Sequence, residues 1–166
     1  MAPTPASPES RNSLALAVLR ITVGVLFLIF AQYKVFGTQF TLHGGFQYWI
    51  NRFLEAGAYP FMRPVLNDFV LPQATPLAFL VAYGELAIGL SLVSGVLVRV
   101  ASFFGLLFML SLLFSANYPG SSAPIWQYFG ASLDHSVLAL CFVSFLIGRS
   151  DAALSLSSIR KSRVSA

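Results

Sequence analysis

The sequence predicts an all-α integral membrane protein: a bundle of four spanning helices with both ends in the cytoplasm. Three observations lead there. Hydrophobic residues make up 57% of the 166 and charged residues only 10%, with a mean hydropathy of +0.76, whereas a soluble domain is about a quarter charged. A chain this short leaves much of its surface uncovered, so lipid is the solvent that fits. The apolar residues also gather into four runs, 14–36, 76–98, 100–117 and 126–148, each close to the ~20 residues a spanning helix requires. Finally, the basic residues divide unequally between the two sets of helix ends.

Residues 1–13 are polar and rich in Pro and Ser, which predicts a disordered cytoplasmic tail. The run 14–36 is too long for the apolar core of a signal peptide and lacks a small-x-small cleavage site, so it is expected to be the first span. An external connection, 37–75, follows. Within it Phe46, Trp49, Ile50, Phe53 and Leu54 recur at helical spacing, with Gln47, Asn51, Arg52 and Glu55 opposite and Gly57 as a C-cap. That pattern predicts a short amphipathic helix lying at the membrane interface. Pro60, Pro64, Pro72 and Pro76 divide the return path, with one more surface turn expected around 65–71. The second and third runs are separated by little more than Arg99, which predicts a tight antiparallel hairpin. A polar turn, YPGSSAPI, precedes the fourth span, and residues 149–166 form a basic tail.

Orientation follows from the bases. Arg11, Arg99, Arg149, Arg160, Lys161 and Arg163 fall on one side, and Lys34, Arg52 and Arg63 on the other. The richer side is cytoplasmic. Tyr48, Trp49, Tyr59, Tyr118, Trp126 and Tyr128 crowd the opposite interface as an aromatic belt. The net charge of +4 and pI near 9.6 therefore reflect membrane orientation, not nucleic-acid binding. Cys141 stands alone, which excludes dithiol redox chemistry within a single chain. No Cys/His spacing matches a zinc or iron–sulfur site, so no metal site is expected.

Ionisable residues inside spans are costly and face the bundle interior. Arg20, Lys34, Glu85 and Asp134 qualify, with His135 beside the last. Each lies on a stripe of small residues: Ala17, Arg20, Gly24, Ala31, Lys34 in the first run; Ala78, Ala82, Glu85, Gly89 in the second; Gly130, Asp134, Val137, Cys141, Ser144, Gly148 in the fourth. Small residues let helices approach closely in lipid, so the four charges are expected to meet. At ~1.5 Å per residue, Glu85 and Asp134 should both lie roughly 12–14 Å inside the outer boundary. Lys34 and Arg20 then bracket Glu85 from either side as its alternative partners. Such a network fixes helix register or forms a polar site, and the spacing alone leaves both open.

The pattern Arg20, Gly24, Phe27, Lys34 in the first run resembles the opening of the DoxX family of small bacterial and archaeal membrane proteins. Glu85, Gly89, Gly95, Arg99 and Ala101 are similar to its centre, and FLIGRSDAALSL to its exit from the last span. The resemblance covers most of residues 14–155. It implies a four-helix inner-membrane protein and, through the family's thiosulfate:quinone oxidoreductase branch, a role in passing electrons to quinone. Three functions are therefore weighed: a membrane subunit of a quinone-linked oxidoreductase, a non-enzymatic scaffold anchoring a redox partner, and a small-solute carrier. The last is disfavoured by the absence of an internal repeat. A quinone site would lie between the first, second and fourth helices. Lys34, Glu85, Asp134 and His135 would supply its polar groups, Trp49, Trp126 and Tyr128 would line the approach, and segment 46–54 would cover the mouth. The chain offers no redox pair, so electrons would come from a partner subunit or a bound cofactor. Assembly with further copies of the chain is compatible with this composition.

Overall fold

The computed structural model describes residues 8–156. Its helices are α1 (Pro8–Phe36), α2 (Thr38–Thr41), α3 (Gly45–Glu55), α4 (Met62–Pro64), α5 (Ala74–Ser94), α6 (Val98–Ser115), α7 (Ile125–Gly130) and α8 (Leu133–Ile147), and no strand occurs among the described residues. Three of them, over Arg11–Phe36, Ala74–Ser94 and Val98–Ser115, are long and apolar enough to cross a membrane; Leu133–Ile147 is a shorter apolar helix. The fold is an all-α membrane bundle, as the composition predicts.

The bundle consists of two close helix pairs, α1 with α5 and α6 with α8. The small-residue stripes of the first two runs are the buried faces, extended by Val23 and Phe27 on α1 and by Ala74, Ile88 and Leu92 on α5. A Cβ added at Gly24 would lie 2.9 Å from Leu92 Cβ, and one at Gly89 would lie 2.8 Å from Leu28 Cδ2. The two backbones can approach this closely only because glycine faces glycine's neighbours there. In the second pair, Gly105 of α6 seats the ring of the fully buried Phe142. Phe142 also meets Phe27 edge-on, with ring centroids 5.4 Å apart, which ties the pairs into one core with Val23, Ile88, Leu92, Met109 and Phe145.

Four boundaries differ from the sequence expectation. Helix α1 starts at Pro8, inside the segment 1–13 expected to be a tail; residues 1–7 lie outside the described residues. Proline suits the first turn of a helix, and Glu9 complements its N-terminal dipole. The α5–α6 hairpin turns over Gly95, Val96 and Leu97, not at Arg99, which belongs to the first turn of α6. The stretch around 65–71 is helical: α4 runs into a wider turn over Val65–Val70, where the Leu71 N–H donates to Leu66 O five residues back at 2.9 Å. The expected fourth span, 126–148, is broken at Ala131 and Ser132 into α7 and α8. Polar side chains satisfy the backbone at that break. Ser136 Oγ donates to Phe129 O (2.9 Å) and Ser132 O (3.1 Å), and Asn117 Nδ2 to Ser132 Oγ (3.2 Å). Irregular backbone in a membrane bundle needs such partners.

The chain alternates between two ends. A Cβ on Gly148 would sit 2.8 Å from Leu16 Cδ1, and Arg20 donates to Leu154 O at 2.8 Å. The start of α1, the α5–α6 turn and the segment after α8 thus share one end, called here the Arg20 end. At the opposite, Lys34 end, the Tyr118 N–H donates to Gly57 O (2.8 Å) and the Tyr59 N–H to Phe114 O (3.1 Å). There the connection packs onto α5 through Phe40, Phe46, Ile50 and Leu66 against Ala74, Ala78 and Ala82. Helix α3 is the expected amphipathic element: Phe46 and Ile50 are buried, while Tyr48, Asn51 and Arg52 face out.

Candidate ring-binding cavity at the Lys34 end

The buried faces of α1 and α5 bring Lys34 and Glu85 together. Lys34 Nζ donates to both carboxylate oxygens, 2.5 Å from Oε1 and 2.6 Å from Oε2. Lys34 is 9% and Glu85 5% exposed. The Lys34 ammonium also lies 5.1 Å from the Phe40 ring centroid and 5.6 Å from that of Tyr33, so aromatic faces share in stabilising its charge. An uncompensated charge at such a position is costly, which explains why acid and base occur together.

Two cavities meet at this pair. A groove of about 670 Å³ runs between α1, α6 and α8, walled by Phe27, Phe30, Met109, Leu112, Val137 and Leu138. A smaller one of about 290 Å³ lies under α3 against Phe46, Trp49, Ile50 and Phe53. Both are lined by Lys34, Glu85, Phe108, Leu112 and His135. Apart from Asp134 in the larger cavity and Tyr33 in the smaller, the remaining walls are apolar, and a lipid-soluble ring in an apolar slot needs only a few placed polar groups.

His135 reaches both cavities from the first turn of α8, and its side chain is about three-quarters buried. Its Nδ1 is buried without a hydrogen bond, although Asp134 Oδ1 lies 3.2 Å away; the two are close but poorly aligned. Asp134 itself corrects the expectation. Its side chain is 73% exposed, and the buried face of α8 is Ser136, Ala139, Phe142 and Phe145, not the stripe through Gly130, Asp134, Val137 and Ser144. The broken span is the cause. Because α8 begins at Leu133, Asp134 sits in its first turn, beside unpaired N–H groups that favour a carboxylate, and not two turns deep. It still borders the larger groove.

Arg20 does not bracket Glu85. It is fully buried at the other end, where Nη1 donates to Leu92 O (2.7 Å) and Nη2 to Leu154 O (2.8 Å). Lys34 is the partner of Glu85. Of the three aromatics expected along the approach, Trp49 lines the smaller cavity, Trp126 is mostly exposed and borders neither, and Tyr128 is tied elsewhere. Its hydroxyl donates to Gly120 O at 2.8 Å, and its carbonyl accepts from Tyr59 at 3.2 Å. Tyr59, Phe114, Tyr118 and Tyr128 form an aromatic cluster that closes the Lys34 end. Burial, with Tyr128 and Tyr118 adding, pushes the Tyr59 phenol above its ordinary value. Sequence reasoning missed Phe40, Phe108 and Leu112, whose apolar side chains carry no signal separating a cavity wall from a lipid-facing surface. Among the described residues no group of three His, Cys, Asp or Glu is placed to hold a metal ion.

The DoxX family model matches residues 15–117 of the chain. The chain belongs to the DoxX family. The matched stretch includes both helices of the Lys34–Glu85 pair and the α6 wall of the groove, while α7, α8 and His135 lie beyond it. No curated protein and no solved structure is found to match this DoxX protein. Family membership and the apolar helices together make it a membrane protein.

Proposed function

We propose that this DoxX protein is the membrane subunit of a quinone-linked oxidoreductase and binds the quinone ring in the groove between α1, α6 and α8. One observation carries the reading: an apolar groove of about 670 Å³ whose wall ends on the Lys34–Glu85 pair and His135. A quinone needs an apolar slot for its ring, a lateral route for its tail and polar groups at its carbonyls. Electrons would reach it from a redox partner subunit. A photoreactive quinone added to the protein in nanodiscs should label residues 108–112 of α6 and 133–138 of α8. Labelling confined to the Arg20 end, or none in a folded sample, would overturn the reading.

A second reading has its own support. Lys34 and Glu85 hold one another through two hydrogen bonds without a ligand, as expected of a scaffold in which the ion pair only fixes helix register. It anchors a redox partner and binds no ring.

The membrane setting is part of the proposal. The protein lies in the inner (plasma) membrane with the Arg20 end in the cytoplasm, because Arg11, Arg99 and Arg149 belong to that end. Reporter fusions at Gly57 and Gly120 should then read external, and fusions at Arg99 and the C-terminus cytoplasmic. An external C-terminus would mean that the chain crosses an odd number of times. The basic residues Arg160, Lys161 and Arg163 lie outside the described residues.

A further inference from the structure

Outside the ion pair the groove is bordered by two polar side chains, the largely exposed Asp134 and the mostly buried His135. Lys34 and Glu85 are bonded to each other, whereas no hydrogen bond engages His135 at either ring nitrogen, and only Nδ1 is buried. Nδ1 lies on the Asp134 side, 3.2 Å from Oδ1. A carboxylate beside one imidazole nitrogen favours the proton on that nitrogen. Nε2 is then left for whatever enters the groove. Its chemistry depends on charge: in the neutral ring Nε2 is an acceptor, and in the imidazolium it is a donor.

We propose that His135, with Asp134 beside its Nδ1, reads the oxidation state of the bound ring: as imidazolium it donates to a quinone carbonyl, and as neutral imidazole it accepts from a quinol hydroxyl. This rests on the ring-binding reading above and deepens it. The other ionisable groups that face His135 across the cavities are Lys34 and Tyr33 of α1 and Glu85 of α5; the α6 and α3 walls present Phe108, Leu112, Phe46, Trp49, Ile50 and Phe53, which do not titrate. Gain or loss of the imidazole proton swaps donor for acceptor at Nε2, so the preference inverts with the charge of the ring. The selection needs no proton transfer to the ring and no electron transfer.

The test is binding of decylubiquinone and, under anaerobic conditions, decylubiquinol to the protein in nanodiscs from pH 5.5 to 8.5, followed by quenching of tryptophan fluorescence. The quinone/quinol affinity ratio should fall about tenfold or more from the acid to the alkaline end, in keeping with a hydrogen bond that involves a charged group. His135→Gln and His135→Phe should both bind with a ratio independent of pH, while His43→Gln, at the exposed second histidine, should keep the wild-type dependence. Thermal melting of each variant establishes that it is folded. A flat ratio in the wild type, or an unaltered slope in both folded His135 variants, would overturn the proposal and leave ring binding standing. Failure of either compound to bind at any pH would overturn both readings.

Discussion

Replacing Glu85 with Gln is expected to destabilise the bundle by about 3–5 kcal/mol, the scale for breaking a buried pair on one side. Lys34, 9% exposed, would lose its counter-charge, with its bonds to both carboxylate oxygens reduced to a single amide oxygen. The neighbouring rings of Phe40 and Tyr33 recover only part of that loss. Lys34→Met should cost a comparable amount, because it strands the carboxylate instead. The double variant Lys34→Met/Glu85→Leu should regain much of the loss, since well-packed apolar groups often replace a buried pair at little cost. Reversible unfolding in detergent, read by circular dichroism, gives the three values. If the single losses add to the double one, Lys34 and Glu85 do not interact and the contact is wrong. The same double variant separates the two functional readings: a scaffold should still support its partner's activity, and a ring-binding subunit should not.

The sequence was most legible where one residue type could serve only one purpose. A base and an acid on stripes of small residues were expected to meet; of the two bases open to Glu85, Lys34 meets it and Arg20 does not. Repetition of Phe46, Trp49, Ile50 and Phe53 at helical spacing placed α3 correctly. The α1–α5 contact was readable as well, because Gly24 and Gly89 lie on the small-residue stripes, where a Cβ would collide with the facing helix. The errors share one physical origin. In lipid, the side of a helix that faces the core and the side that faces the acyl chains are both apolar, so the buried face of such a helix is set by its neighbours. Helix α8 buries Phe142 and Phe145 and exposes Ser144, the reverse of the small-residue rule, because Gly105 on α6 provides the recess that a phenylalanine fills. The break at Ala131 and Ser132 was hidden for a related reason. The serine and asparagine bonds that satisfy it come partly from Asn117, fourteen and more residues away, and no local propensity marks them. A continuous helix over 126–148 put Asp134 deep in the bundle; the broken one returns it to a helix N-terminus and leaves His135 facing the groove.

Arg20→Met is expected to cost about 2–4 kcal/mol and to release the segment that follows α8. Leu92 lies in the last turn of α5, where carbonyls have no partner within the helix, and Arg20 Nη1 supplies one at 2.7 Å. Nη2 does the same for Leu154 O at 2.8 Å, fastening a chain segment more than 130 residues away in sequence. A buried carbonyl left without a donor, as at Leu92, costs roughly 1–3 kcal/mol, and the part-buried Leu154 carbonyl adds about 1 kcal/mol. Leu154 has a φ of +48°, a strained value for a leucine that persists only while its surroundings hold it; the bond to Arg20 is one such restraint. Gly95 completes the arrangement. At φ +74° it brings the α5–α6 turn so close that a Cβ there would lie 2.5 Å from Arg20 Nη1 and run into Ser155. Lysine should not substitute well: a point charge on a flexible stem cannot span both carbonyls as the planar fork does, so Arg20→Lys should fall between wild type and Arg20→Met. Maleimide alkylation of a cysteine placed at Ser155, in a Cys141→Ala background, measures the release. Ser155 is fully buried, so alkylation should be slow with Arg20 present and fast without it. Equal rates, together with an unchanged melting temperature, would show that the guanidinium is not what holds the segment against the bundle.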